Sequence, residues 1–309
     1  MKRTLIIGST VADIIIGVKT LPTSGSDINT ESHEIKLGGC AFNVSEVLRH
    51  LSVPYVLCSP VGTGAYGDFV MNEYKKKGIE CFKRVEGENG CCYCFVEEDG
   101  ERTFVSNHGA EYSFEPEWFD SMDMSDVDSI YVCGLELETD TDGKIVSWLE
   151  KQKDIDIYFA CSSRINFVNP DHVNRILRLH PILHLSDNEA EMFTGKMNPA
   201  ESAEILSGYT DNTVIITSGR RGCYCLEKNE DGSFSSIGIP AVNSVVKDTI
   251  GAGDAHIGAF IAYRKMGYSV SNAALLANTV SGAVVATSGA TLSDEEFAAL
   301  NIPVNTIRS

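Results

Sequence analysis

Short apolar runs alternate with helical patterns along this chain. The apolar runs that predict single strands lie at residues 4–9, 34–37, 56–59, 128–133, 155–160, 182–185 and 213–217. Two further pairs of runs predict hairpins, at 91–97 with 103–106 and at 223–226 with 234–239. A repeat of apolar residues every three to four positions predicts helices at 41–51, 255–263 and 272–286. The alternation predicts an α/β fold with an open, mostly parallel sheet, helices on both faces, and a smaller sheet built from early segments.

Composition limits the possible functions. With 309 residues, 43% of them hydrophobic, the chain is long and apolar enough to form one large α/β domain over residues 1–309. A formal net charge of −18 argues against nucleic acid or an anionic membrane as a partner. No run approaches the roughly 18 apolar residues of a membrane span, and Met1-Lys2-Arg3 leads directly into a strand-like run. We therefore expect a cytoplasmic protein.

Ten cysteines are present, and Cys91-Cys92-x-Cys94 forms the one cluster in the sequence. Its spacing matches neither CxxC nor a zinc site. We expect these cysteines to be reduced and to act as small apolar side chains.

Candidate chemistry is concentrated in one stretch, which runs from Asp248 to Asp254 and leads into a helical pattern. The first N–H groups of a helix have no partner and attract anions, and Gly251 and Gly253 let a phosphate approach the backbone. Asp254 follows at a position where it could accept a proton from an attacking hydroxyl group. From these residues alone, an Asp that caps a helix after a glycine-rich turn is an equally good explanation.

Two motifs change that balance. Asp248-Thr249-x-Gly251-Ala252-Gly253-Asp254 resembles the C-terminal motif of the ribokinase-like (PfkB) family of sugar and nucleoside kinases. Gly38-Gly39-Cys40-Ala41-Phe42-Asn43 resembles the N-terminal motif of that family, and the two lie about 200 residues apart in the order found in the family. The resemblance extends over essentially the whole chain. It implies a ribokinase-like three-layer α/β/α fold, with β-sheet lid segments at about 14–37 and 90–107, and transfer of a phosphoryl group from ATP.

The resemblance also assigns residues to the reaction. It implies that Asp254 is the general base and that Gly251, Ala252 and Gly253 form the anion hole. It places Glu136 against the acceptor, although Glu138 is a rival for that role. The other residues that it implies for acceptor binding are Asp13, Gly38, Gly39 and Asn43.

Such an acceptor site suits a ribose-like furanose, and a nucleoside or pseudouridine would present the same ribosyl face. Asp13, taken alone, could instead cap a loop. A phosphorylated sugar would need additional basic residues, for which Arg102 and Arg164 are scattered candidates.

For the nucleotide, the resemblance places Thr217, Gly219 and Gly222 near the phosphates of ATP and Asn278 at the adenine. Glu189 would act on Mg²⁺ through water, although Ser186 stands where the family has Asn.

Asp248, with the backbone near Ile250, Val284 and Gly289, resembles a site for an activating K⁺ ion. Lid sheets pair in several members of the family, which implies a homodimer through the lid.

Two other functions remain open from the sequence. One is a regulator that binds a sugar or nucleoside without catalysis, although the retention of Asp254 and both glycines argues against it. The other is a dinucleotide-dependent oxidoreductase, which rests on the GxGxxG spacing of residues 62–67. No acidic residue follows that motif at the separation a dinucleotide fold requires, and Gly64 stands where the kinase family usually has Asp. A P-loop kinase is excluded, because the sequence lacks GxxxxGK[ST].

Overall fold

A computed structural model describes residues 1–98 and 101–306. The turn expected at residues 98–102 includes Asp99 and Gly100, which lie outside the described residues. Within the described residues the strands are β1 Arg3–Ile7, β2 Val11–Gly17, β3 Ser32–Gly38, β4 Tyr55–Cys58, β5 Pro60–Thr63, β6 Lys83–Glu88, β7 Cys91–Val96, β8 Arg102–Asn107, β9 Val127–Cys133, β10 Asp156–Ala160, β11 Ile182–Ser186, β12 Val214–Thr217, β13 Cys223–Lys228 and β14 Phe234–Ile239.

The helices of the same residues are α1 Cys40–His50, α2 Gly64–Lys77, α3 Gly134–Thr139, α4 Lys144–Leu149, α5 Pro170–Leu177, α6 Asp187–Thr194, α7 Pro199–Thr210, α8 Ala252–Lys265, α9 Val270–Val284 and α10 Asp294–Ala298. Short 3-10 turns lie at Ala110–Tyr112, Pro116–Phe119, Met124–Asp126, Ile165–Phe167 and Gly219–Arg221.

The central sheet has eight strands in the order β14-β13-β12-β11-β10-β9-β1-β4. Within this order the six strands β12, β11, β10, β9, β1 and β4 are parallel. The strand β13 pairs antiparallel with both β12 and β14. Side chains alternate between the two faces, so that Ile6 joins the core under α1, α8 and α9 while Leu5 and Ile7 join the core under α4 to α7. Burial on both faces explains the continuous apolar runs in the sequence. The predicted three-layer arrangement is confirmed.

The lid is a four-stranded sheet in the order β3-β2-β7-β8. It begins earlier than the expected segment at about 14–37, because Val11–Gly17 already forms a strand. That strand pairs with β3 on one side and β7 on the other, and these distant partners determine its conformation. Asp13 therefore projects from a strand and does not cap a loop.

Helices α1 and α8 pack closely on one face of the central sheet. Gly258 makes this possible, because a Cβ atom there would lie 3.1 Å from the Cβ of Val47 and 3.2 Å from the carbonyl oxygen of Val44. Both helices are fully buried along this contact. The crossing aligns the first turn of α8 with the first turn of α1, which carry the two sequence motifs.

Replacing Gly258 with Leu should destabilise the protein by about 1–3 kcal/mol, because the larger side chain forces the two helices apart. Gly208→Leu is the matched control, since Gly208 also lies within a helix but is exposed, with open space where a Cβ would be. Leu has the higher helix propensity, so this control should be neutral or stabilising. Urea-induced unfolding measures both variants. Equal effects would contradict a special role for the α1–α8 contact.

Candidate active site

The paired glycines allow three segments to meet. Gly39 precedes α1 with a φ angle of 98°, and a Cβ atom there would collide with the backbone carbonyl group of Ser9. A Cβ atom at Gly38 would overlap the carboxylate of Asp13. Both positions therefore require glycine for close approach, which keeps Asp13 and the start of α1 side by side.

The two sequence motifs meet through a hydrogen bond between their side chains. Nδ2 of Asn43 donates to Oδ2 of Asp254 at 2.8 Å. The other polar atom of Asn43, Oδ1, is buried and has no hydrogen-bond partner within the described part of the chain. An unpartnered buried acceptor is costly, so this oxygen suits a hydroxyl group of a bound ligand.

Asp254 lies in the first turn of α8, and this helix begins directly after Gly251, which adopts a φ angle of 71°. The first N–H groups of that helix have no intrahelical acceptor and carry the positive end of the helix dipole. The sequence-predicted residues Gly251, Ala252, Gly253 and Asp254 therefore form one continuous group at the helix start.

Several carboxylates lie close together here. Burial raises the pKa of Asp254 to about 6. Burial, and then the charges of Asp254 and Asp248, raise the pKa of Asp13 to about 7. These shifts put both carboxyl groups in the range where a proton can be exchanged at neutral pH.

Glu136 lies below this group and is 3% exposed. Its Oε1 accepts hydrogen bonds from the N–H and the hydroxyl group of Ser9, at 2.9 and 3.1 Å. Burial raises the pKa of Glu136 to about 7. It thus fixes the segment between β1 and β2, and its assignment as an acceptor contact stays a prediction. Nε of Arg164 donates a hydrogen bond to the rival Glu138 at 2.7 Å. Glu138 and Arg164, both named from the sequence as candidate substrate contacts, therefore pair with each other.

A cavity of about 590 Å³ adjoins the start of α8. Ala252 and Gly253 contribute to its wall. All four residues predicted for nucleotide binding also line it, namely Thr217, Gly219, Gly222 and Asn278. Its volume suits a cofactor-sized ligand, and its position would bring phosphate groups to the helix start.

Two of these residues shape the cavity through close contacts with backbone carbonyl groups. Gly222 adopts a φ angle of 90°, and a Cβ atom there would overlap the carbonyl oxygen of Ile239. Nδ2 of Asn278 donates to the carbonyl oxygen of Pro240 at 3.0 Å. Both contacts hold the end of β14 and the segment that follows it.

The sequence did not predict the rest of the cavity wall. Much of it comes from the segment 240–248, which forms neither helix nor strand and has no periodic pattern. The lining residues that sequence reasoning missed are Arg220, Ala241, Val242, Asn243, Ser244, Val246, Thr249, His256, Ser281, Gly282 and Val285.

Glu189 has a structural role in addition to its predicted one. Ser186 caps α6, and Oε2 of Glu189 accepts the N–H of Ser186 at 2.8 Å. Burial raises the pKa of Glu189, and the charge of Asp254 adds to the shift. No group of three or more His, Cys, Asp or Glu side chains within residues 1–98 and 101–306 could hold a metal ion. Mg²⁺ keeps several waters and binds largely through substrate phosphates, so a single carboxylate such as that of Glu189 could serve it through water.

Asp248 is surrounded by donors. Its Oδ1 accepts the N–H of Ile250 at 2.8 Å, and its Oδ2 accepts the N–H of Gly289 at 2.7 Å. Arg102 of the lid adds an ion pair at 2.8 Å to the same Oδ2. A guanidinium group therefore lies beside the carboxylate at which K⁺ was expected, and this donor set does not fit a further cation.

The GxGxxG segment packs against itself. Residues 60–63 form β5, and α2 begins at Gly64. A Cβ atom at Gly67 would overlap the carbonyl oxygen of Gly62, so these glycines permit a tight strand-to-helix connection. Neither glycine is among the described residues that line the large cavity, which removes the support for a dinucleotide site.

Asp13→Asn should stabilise the folded protein by about 1–2 kcal/mol at pH 8, because it removes a charge that burial and Asp254 disfavour. The native carboxyl group of Asp13, with its pKa of about 7, binds a proton more tightly than the unfolded one, with a pKa of ~4. Wild-type stability from this group therefore falls as pH rises from about 4 to 7. Thermal unfolding of both proteins should differ at pH 8 and converge near pH 4, and a constant difference would contradict the shift.

Within residues 1–98 and 101–306, no helix combines the length and apolar character needed to cross a membrane.

The sequence matches the family described as pfkB family carbohydrate kinase over residues 1–296. A protein named "Uncharacterized sugar kinase YegV" from Escherichia coli (strain K12) is 30% identical over 288 residues, which are 91% of this chain and 88% of that protein. A ribokinase from Staphylococcus aureus (strain COL) is 24% identical over 84% of this chain and 85% of its own length.

Solved structures give the same result for the fold. A ribokinase from Thermotoga maritima has a TM-score of 0.81 at 20% identity, covering 97% of this chain and 99% of its own. A nucleoside kinase from Methanocaldococcus jannaschii has a TM-score of 0.76 at 19% identity, covering 97% and 98%. The predicted ribokinase-like fold is thereby confirmed. With the match over residues 1–296, the protein belongs to the PfkB family of carbohydrate kinases.

Proposed function

We propose that this enzyme transfers the γ-phosphoryl group of ATP to a primary hydroxyl group of a sugar, with a ribose-like furanose as the acceptor. The observation that carries the proposal is the 2.8 Å hydrogen bond between Asn43 and Asp254 at the start of α8. It joins an acceptor-binding motif to a candidate base beside an anion-binding helix start. Phosphoryl transfer depends mainly on positioning and on neutralising charge, and this arrangement supplies both.

In the proposed reaction Asp254 accepts the proton of the acceptor hydroxyl group as its oxygen attacks phosphorus. The pKa of about 6 leaves Asp254 largely ionised at neutral pH and still basic enough for proton transfer. The amide groups of Gly251, Ala252 and Gly253 stabilise the negative charge of the transferred group. Thr217 and Gly219 would contact the phosphates in the cavity.

Mg²⁺, when bound with ATP, neutralises phosphate charge, and Glu189 would hold it through water. One carboxylate oxygen of Glu189 already serves the cap of α6, which leaves its other oxygen for that water.

The acceptor is placed by Asp13 and Asn43 under the lid. A carboxylate and an amide beside two glycines can bind the hydroxyl groups of a furanose from one side. Two similar proteins are named for such acceptors, one as a ribokinase, from Staphylococcus aureus, and one as a nucleoside kinase, from Methanocaldococcus jannaschii. A free pentose is favoured here because Arg102 and Arg164 are paired with Asp248 and Glu138, so neither is free for a phosphorylated sugar.

We also propose a homodimer through the lid. Its sheet ends in β3 and β8, which have no neighbour in the described sheet, and Ile35, Phe104 and Val105 are exposed on these strands. Pairing of these edges with those of a second copy would satisfy their open backbone N–H and C=O groups. Light scattering that gives the mass of one chain would contradict the dimer.

ADP release with a panel of pentoses, hexoses, nucleosides, pseudouridine and sugar phosphates tests the acceptor. The largest kcat/KM is expected for ribose or a closely related pentofuranose. A larger value for nucleosides would move the enzyme to that class. Acceptor binding without ADP release for every compound would instead support a regulator that does not catalyse.

Asp254→Asn should lower kcat by about 10²–10⁴ with the best acceptor of that panel, while KM for ATP changes little. Asn can still accept the hydrogen bond from Asn43, so the variant removes the base and keeps the contact. Asp171→Asn is the matched control, because Asp171 is an exposed Asp in the first turn of α5. Near-normal turnover of Asp254→Asn would remove Asp254 from the role of base.

A further inference from the structure

A buried ion pair joins the lid to the segment 248–251, which leads into α8. Nη2 of Arg102, at the start of β8, lies 2.8 Å from Oδ2 of Asp248, and the two side chains are 11% and 2% exposed. Nη1 of Arg102 also contacts Sγ of Cys94 at 3.5 Å on the neighbouring strand. Arg102 is thus held by the lid sheet and directed at the segment that leads to the anion hole.

Asp248 connects two backbone segments, one before α8 and one after α9. Its carboxylate binds the N–H of Ile250, two residues before the N-terminal end of α8, and the N–H of Gly289, after α9. A buried carboxylate that holds two backbone segments together needs a nearby positive charge, since an unpaired buried charge is strongly destabilising. Arg102 supplies that charge.

A second lid cation reaches the same place. Nζ of Lys36, on β3, lies 3.5 Å from the carbonyl oxygen of Ser288, next to Gly289. Carboxylate and backbone carbonyl oxygens are the ligands that a bound K⁺ ion would use. In this chain Arg102 pairs with the carboxylate of Asp248, and Lys36 lies near the carbonyl oxygen of Ser288.

We propose that Arg102 is a positioning residue that takes the place of a monovalent cation at Asp248. Its guanidinium group neutralises Asp248 and so fixes the segment 248–251 from which the anion hole begins. The inference rests on the proposed function, in which that hole holds the transferred phosphoryl group.

The source of the charge has a mechanistic effect. A free ion would reach Asp248 from solvent, whereas Arg102 reaches it from β8 of the lid, so this charge is present only where the lid lies over the segment 248–251. The anion hole is then complete only over a covered acceptor, which limits transfer of phosphoryl groups to water.

The test compares chloride salts of K⁺, Na⁺ and tetramethylammonium at equal ionic strength. Wild-type kcat should be the same in all three within about twofold. Arg102→Ala should lose roughly tenfold or more in kcat in tetramethylammonium, and K⁺ or free guanidinium should restore most of it. Arg175→Ala is the control, because Arg175 also forms an ion pair, at 2.6 Å with the partly exposed Glu150, between α5 and the end of α4. It should show no response to the cation.

Thermal unfolding provides a readout that needs no turnover. K⁺ should raise the Tm of Arg102→Ala and leave the Tm of wild type and Arg175→Ala unchanged relative to tetramethylammonium. Arg102→Lys, which keeps the charge, should remain insensitive to K⁺ and serves if the Ala variant does not fold. Wild type that is activated or stabilised by K⁺ overturns the inference, as does an Arg102→Ala protein that ignores the cation.

The two proposals can fail separately. Wild type without turnover on any acceptor would refute the proposed kinase reaction, and the unfolding temperatures would still report whether Arg102 replaces the ion. A wild-type enzyme that phosphorylates an acceptor but requires K⁺ would refute the inference about Arg102 and leave the proposed kinase reaction intact.

Discussion

The close crossing of α1 and α8 is the contact on which the site depends. Gly258 and the small residues around it bring the two helix axes near enough for Asn43 to bond Asp254. Because packed cores respond to added volume by shifting whole elements, the distance between the motif proposed for acceptor binding and the proposed base is fixed by packing one turn away. The catalytic geometry is therefore a property of the core as much as of the motifs.

Charge is arranged locally against the overall composition. The chain carries a formal net charge of −18, yet the start of α8 offers a positive dipole end, and Arg102 and Lys36 extend from the lid toward it. Backbone dipoles and a few directed side chains can attract an anion inside an acidic protein, because both act at short range where screening is weak. The net charge argues against nucleic-acid partners and has no bearing on nucleotide binding.

The sequence predicted, from its motifs, residues that the fold brings to one region. Gly251 to Asp254, and the separate positions Thr217, Gly219 and Asn278, were assigned from motifs, and the last three line one cavity together with Gly253. What it missed depends on distant partners. The strand Val11–Gly17 exists because β3 and β7 flank it, and the pairing of Arg102 with Asp248 joins positions far apart in the chain. Neither leaves a periodic pattern in the residues involved.

The proposed acceptor site and the cavity are built from different parts of the chain. The residues proposed for the acceptor come from 11–43 and the lid, whereas the cavity wall comes from residues 217–285, from the end of β12 onward. The two meet where α8 begins. Such modularity means that evolution, or a designer grafting segments between relatives, can exchange the alcohol that is recognised without rebuilding the pocket for the phosphate donor.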